Sequence, residues 1–201
     1  MKKLAFTICV LLIVVLFPVQ AHALFTNIGF ETGDLTGWTV QNGGVDSPDV
    51  VFGSAGAGFG NYYATIEGGE ENTWVALVQT AVLEAGTQLD GAFQFDYLDE
   101  GFPYLDEARV QIQHDGDNPQ QLAFAAGEDI NNWQYWSWTA PVTGTYTLSY
   151  GSRNVMDGII PSLGYFDTKQ TGPNPVPEPM SLTLMAGGLA GLVLRRFKGV
   201  V

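Results

Sequence analysis

Cysteine is all but missing from this chain: the single Cys9 lies inside an N-terminal apolar run, so no disulfide can brace the remainder of the molecule. Histidine is nearly as scarce, with His22 and His114 only, which excludes zinc centres built from histidine and cysteine. A Ser-His-Asp triad would have to be assembled on His114, beside the Asp115-Gly116 turn. Positive charge is thin as well. Lys2, Lys3, Arg195, Arg196 and Lys198 lie near the ends, leaving Arg109, Arg153 and Lys169 against twenty acidic residues between positions 24 and 176, a net charge of −17. Such a surface repels nucleic acid and anionic lipid, whose phosphates need clustered Lys and Arg, and it suits divalent cations and neutral sugars. A sustained 3.6-residue hydrophobic period is also absent from the middle of the chain, which argues against helices there.

The two ends are more specific. Lys2 and Lys3 precede an apolar run from Leu4 to Phe17, and Ala21-His22-Ala23 places small residues three and one before a cut. This is the pattern of a secretory signal peptide over 1–23, a signal helix removed by signal peptidase after Ala23. The competing reading is an uncleaved anchor, for which the run is short. At the other end four prolines fall in the ten residues from Gln170 to Pro179, too stiff and donor-poor to continue a sheet, so 171–176 reads as a linker. The fifteen mostly apolar residues Met180 to Leu194 come next, read as a transmembrane helix over 180–194. At about 1.5 Å per residue they reach only some 22 Å, short of a roughly 30 Å hydrocarbon core, which favours a processed tail over a permanent anchor.

The remaining body, 24–170, is one domain's worth of chain, able to bury roughly 70% of the surface it exposes when unfolded. Phe93, Phe95 and Tyr97 alternate with Gln94 and Asp96; Ala108, Val110 and Ile112 alternate with Arg109, Gln111 and Gln113; Tyr146, Leu148 and Tyr150 alternate with threonine and serine. Each segment puts its apolar side on one face of a strand. The stretch TWVALVQ (73–79) is apolar at nearly every position, as a strand covered on both faces would be, and HDGDNP (114–119) supplies Asp-Gly for a tight hairpin. Residues 45–61 are rich in glycine and read as a long loop around one short strand. Roughly ten strands fit, and that number at this length predicts an all-β, two-sheet antiparallel β-sandwich of jelly-roll type.

Pro177-Glu178-Pro179, the apolar stretch and Arg195, Arg196 and Lys198 together resemble a PEP-CTERM sorting signal of Gram-negative bacteria over 177–201. The basic end stays cytoplasmic under the positive-inside rule, which leaves the body outside. The resemblance implies that a membrane-embedded exosortase recognises the tripeptide and removes the tail. It implies further that the protein passes through an inner-membrane intermediate to the cell surface or extracellular matrix of a species that makes exopolysaccharide. The opening NIGFETGDLTGWTV looks like the start of galactose-binding-like jelly rolls, many of them carbohydrate-binding modules, and SLGYFDTKQ sits where such domains place their final strand with an aspartate. That resemblance implies a structural calcium held by Glu31 and Asp167, with backbone carbonyls near Gly29 completing the six to eight oxygens the ion prefers. Otherwise Glu31 only caps a turn.

Two further groupings bear on function. NNWQYWSWTAP (131–141) puts Trp133 and Tyr135 on one strand face and Trp136 and Trp138 on the other. An exposed Trp133–Tyr135 pair would stack sugar rings, with Asn131, Asn132 and Gln134 supplying hydrogen-bond selectivity; the alternative is that both pairs are buried. Asp96, Asp99, Glu100, Asp106 and Glu107 could furnish a glycosidase-like carboxylate pair, although acidic residues around a loop are usually solvated. The reading that results is an exported, non-catalytic surface or matrix protein that binds polysaccharide but not nucleic acid. A purely structural surface protein and a glycan-active hydrolase are the alternatives.

Overall fold

A computed structural model describes residues 24–43, 47–53, 58–99, 102–156 and 160–171. The signal helix, the 180–194 helix, and Pro177, Glu178, Pro179, Arg195 and Arg196 lie outside the described residues, as does the linker after Thr171. Among the described residues no helix is long and apolar enough to cross a membrane.

Among the described residues ten strands form: β1 (Thr39–Gln41), β2 (Asp49–Phe52), β3 (Tyr62–Glu67), β4 (Val75–Leu83), β5 (Gln88–Asp96), β6 (Glu107–His114), β7 (Gln120–Ala126), β8 (Ile130–Thr139), β9 (Gly144–Arg153) and β10 (Leu163–Thr171). They make two five-stranded antiparallel sheets, β1-β4-β9-β6-β7 and β2-β3-β10-β5-β8, the sandwich expected from the alternating segments. Those alternations turn their apolar sides inward: Phe93 and Phe95 from β5, Ala108, Val110 and Ile112 from β6, and Tyr146, Leu148 and Tyr150 from β9 are buried. With Leu77, Leu83, Leu89 and Phe166 they fill the space between the sheets. Each large side chain buried this way contributes roughly 1.5–3 kcal/mol. The 114–119 stretch forms the β6–β7 hairpin, with Gly116 at φ 84° and the Asp117 N–H donating to the His114 carbonyl.

One expectation is corrected. β4 is not covered on both faces: Val75, Leu77, Gln79, Ala81 and Leu83 are buried while the residues between them are half-buried or exposed. Gln79 turns inward because its amide accepts from the Thr26 N–H and donates to the Thr26 carbonyl, tying down the strandless N-terminal segment. That segment still belongs to the core. Phe30 stacks on Trp38 at 5.3 Å, Trp38 lies 5.0 Å from Tyr150, and Tyr150 stacks on Phe166 at 5.1 Å, an aromatic column running from the first sheet to the second.

Candidate functional site

The outward face of the second sheet gathers aromatic side chains from strands far apart in sequence. Tyr165 on β10 is registered against Gln94 on β5, and Tyr63 on β3 meets Tyr165 at 5.9 Å between ring centroids. Trp133 on β8 meets the Tyr63 ring edge-on at 5.7 Å. Tyr63, Gln94, Asn131, Asn132, Trp133 and Tyr165 line a hollow of about 330 Å³. The Tyr165 hydroxyl donates to Asp96 Oδ2 at 2.6 Å, fixing the ring; burial, then that carboxylate, raises the phenol above its ordinary value.

Tyr135 lies on the same outward side of β8 and is 65% exposed, whereas Trp136 and Trp138 pack against the core. Trp136 is registered against Gly91, where any Cβ would collide with the indole, so a glycine is what lets this tryptophan lie flat on the sheet. The strand thus divides its four aromatics by face.

Beside the aromatic face, two carboxylates hold a strap of chain. Asp167 Oδ2 accepts from the Phe59 N–H, and Glu31 Oε1 accepts from the N–H groups of Asn61 and Tyr62 at 2.8 and 3.0 Å. Gly60 between them has φ 68°, a conformation other residues rarely adopt, and a Cβ there would strike the Glu31 carboxylate. The Phe59 ring meets Tyr135 edge-on at 5.8 Å, and Lys169 Nζ sits 4.6 Å above it. Sequence reasoning did not assign this strap; the glycines flanking Phe59 were its only signal.

The structure brings the three residues named for calcium to one place. Asp167 is fully buried, and its Oδ1 has no hydrogen-bond partner among the described residues. Burial pushes its carboxyl up to about 7, with the charge of nearby Glu31 adding to the rise. A Cβ at Gly29 would lie 2.7 Å from the Thr168 carbonyl oxygen and 3.5 Å from Asp167 Oδ1, so only glycine leaves this cradle open. Among the described residues no group of three or more His, Cys, Asp or Glu is disposed around one metal position. Calcium, however, takes backbone carbonyls as readily as carboxylates, and two carboxylates with an orphaned oxygen beside a carbonyl fit it. Glu31 also does what the alternative required, since it caps the strap.

Most of the residues considered for catalysis are engaged structurally, while Asp99 lies near enough to Asp106 for its charge to raise that carboxyl. His114 Nδ1 pairs with Asp117 of its own hairpin at 2.9 Å, and its ring rests on Tyr146. Asp96 holds Tyr165, and Glu107 pairs with Arg153 at 2.7 Å. Asp106 is buried and accepts from the N–H groups of Val155 and Ser162 at 2.8 and 3.0 Å. Glu100 lies outside the described residues. On the first sheet Trp74 carries Arg109 at 3.7 Å and Arg153 at 4.9 Å over its ring, so all three cations of the sandwich rest on aromatic faces.

No family model and no curated protein matches the chain. Among solved structures, TmCBM61, determined in complex with β-1,4-galactotriose, superposes with a TM-score of 0.51 at 19% identity, covering 76% of this chain and 99% of its own. A family 16 carbohydrate-binding module (TM-score 0.43, 16% identity, 74% and 99% covered) and the CBM22-1 xylan-binding domain of Xyn10C from Paenibacillus barcinonensis (0.42, 18%, 73% and 93%) align over similar lengths. These structural neighbours are β-sandwich carbohydrate-binding modules, and at such identities TmCBM61 establishes a shared fold.

Proposed function

We propose that this is an exported, non-catalytic cell-surface or matrix protein whose sandwich binds polysaccharide on the outward face of its second sheet. One observation carries the reading: Tyr63, Trp133 and Tyr165 surround a hollow whose other lining groups are the amides of Gln94, Asn131 and Asn132. Sugar rings present apolar C–H faces and polar edges, and a site that combines aromatic rings with a few amides answers both. Signal peptide 1–23 and the PEP-CTERM-like tail supply the route, with signal peptidase and an exosortase as partners in transit, and exopolysaccharide is the ligand at its end. Calcium is the ion Glu31, Asp167 and the carbonyls around Gly29 would hold. It would neutralise two neighbouring carboxylates and leave the protein residues to fix the strap against the sheet.

Affinity electrophoresis tests the binding reading. Wild-type protein should be retarded in gels containing neutral polysaccharide, β-1,4-galactan among them, and Trp133→Ala should abolish the retardation. The substitution should leave stability within about 1 kcal/mol, because the ring packs edge-on against Tyr63 outside the core. A loss of about 3 to 5 kcal/mol would mark Trp133 as a core residue. No retardation of the wild type on any neutral glycan would leave a purely structural surface protein.

A further inference from the structure

Among the described residues the strands β7 and β8 are free edges, one from each sheet, and a second hollow of about 570 Å³ opens between them. Its walls are apolar on the inner side, where Phe93, Leu122, Ala123 and Trp136 converge, and acidic at the rim, where Glu128 and Asp129 enter from the β7–β8 connection; Phe124, registered against outward-facing Arg109, lines it from the outer side of β7. Phe124 is 43% exposed. The hollow on the outward face of the sheet and this one lie on opposite sides of β8, and Asn131 and Asn132 line both. These two asparagines form the sill between the hollows. No side-chain hydrogen bond of either one forms among the described residues, so each keeps its two donors and its acceptor free.

We propose that a single polysaccharide chain occupies both hollows, crossing the start of β8 over Asn131 and Asn132, and that this chain carries no negative charge. The proposal rests on the glycan-binding reading of the outward face and deepens it by fixing the length and charge class of the ligand. Length comes from the hollows themselves. The outward hollow of about 330 Å³ is lined from β3, β10, β5 and β8, and the edge hollow of about 570 Å³ adjoins it across Asn131 and Asn132, so the joined path exceeds what one sugar ring fills. A monosaccharide would leave most of this surface wet; an oligosaccharide covers it. Charge comes from the lining. Among the described residues neither hollow is lined by a lysine or arginine, the edge hollow presents two carboxylates, and the sandwich carries three basic against twenty acidic residues. A uronate or sulfate-bearing chain would therefore bring like charge to the rim with nothing to receive it, whereas sugar hydroxyls can donate to Glu128. The backbone groups along the open edge of β8 add donors and acceptors that a hydroxylated chain can use.

Isothermal titration with neutral β-1,4-linked gluco-, galacto-, manno- and xylo-oligosaccharides, from disaccharide to hexasaccharide, tests the proposal on the full exported domain. The wild type should bind the hexasaccharide of its preferred series more tightly than the trisaccharide. Phe124→Ala should cost about tenfold in affinity for the hexasaccharide and leave the trisaccharide unchanged, as the loss of one aromatic contact in the edge hollow requires. Trp133→Ala should weaken both. Thermal melts confirm that each variant is folded. If Phe124→Ala changes no affinity while Trp133→Ala still abolishes binding, the continuous path is wrong and the outward-face reading survives. Binding of polygalacturonate as tight as that of the neutral hexasaccharide would overturn the charge assignment. Failure of every neutral oligosaccharide to bind would remove both the proposal and the reading beneath it.

Discussion

Asp106 and Asp167 are both fully buried, in both cases burial pushes the carboxyl above its ordinary value, and yet they are opposites. Around Asp106 every oxygen is used: the Val155 and Ser162 N–H groups donate to it, and the Asn154 amide, oriented with its nitrogen inward, adds contacts of 2.9 and 3.1 Å. Around Asp167 one oxygen receives the Phe59 N–H and the other receives nothing from the described residues, with Glu31 close enough to repel it. A buried carboxylate with a complete set of donors is a structural clamp; one left half-satisfied beside a second carboxylate carries an uncompensated cost that a proton or a bound cation would relieve.

The largest effect should come from breaking the clamp. Asp106→Ala leaves the Val155 and Ser162 N–H groups and the Asn154 amide buried without an acceptor, at about 1–3 kcal/mol for each unsatisfied group, so chemical denaturation should show a loss of about 3 kcal/mol or more. A loss under about 1 kcal/mol would show that water replaces the carboxylate and that the clamp is not one. Calcium comes next. At a free concentration a hundredfold above its dissociation constant it should add about 2.7 kcal/mol to the wild type and nothing to Asp167→Asn. An unchanged melt of folded wild-type protein on adding calcium or a chelator would erase the distinction between the two aspartates.

The remaining contrast is the dependence on pH without metal. Asp167 titrates near 7 when folded against an ordinary value of 3.8, so the folded state binds the proton more tightly. Its contribution to stability is therefore complete below about pH 4 and is lost as pH rises toward 7, the reverse of a salt-bridged aspartate. Asp106 is raised too and acts in the same direction, so the difference between wild type and Asp167→Asn isolates Asp167. That difference should grow in favour of the wild type as metal-free protein is taken from about pH 7 to about pH 4. With calcium present the trend should invert, because proton and ion compete for the same carboxylate.

Much of this arrangement was readable in the chain before folding. The period-two segments of β5, β6 and β9 announced their inward faces, and SLGYFDTKQ became β10, the strand that carries Asp167. β4 misled because Ala76 and Val78, though apolar, face outward, while polar Gln79 turns in to satisfy Thr26, a partner 53 residues away. No local pattern encodes such a contact. The same limit applied to the aromatic face: Trp133 and Tyr135 stood out within one strand, but Tyr63 and Tyr165 join them only through the β3–β10–β5 register. Asp106 was visible as one acid among several, and its role became evident only when Val155 and Ser162 were brought to it by the loop before β10.

The seating of Arg109 and Arg153 on Trp74 and of Lys169 on Phe59 has a kinetic consequence. Cations held against rings are poor handles for an approaching molecule, so the potential an encounter partner meets is of one sign over most of the body. Polyanions, including other copies of this protein, are slowed on approach rather than excluded at contact, and the delay shortens as salt compresses the Debye length from about 30 Å at 0.01 M to about 10 Å at 0.1 M. Uncharged chains approach at a rate that ionic strength hardly touches. As salt varies, the rate at which the body meets a neutral polymer would hold steady while the spacing between protein molecules shrank and swelled.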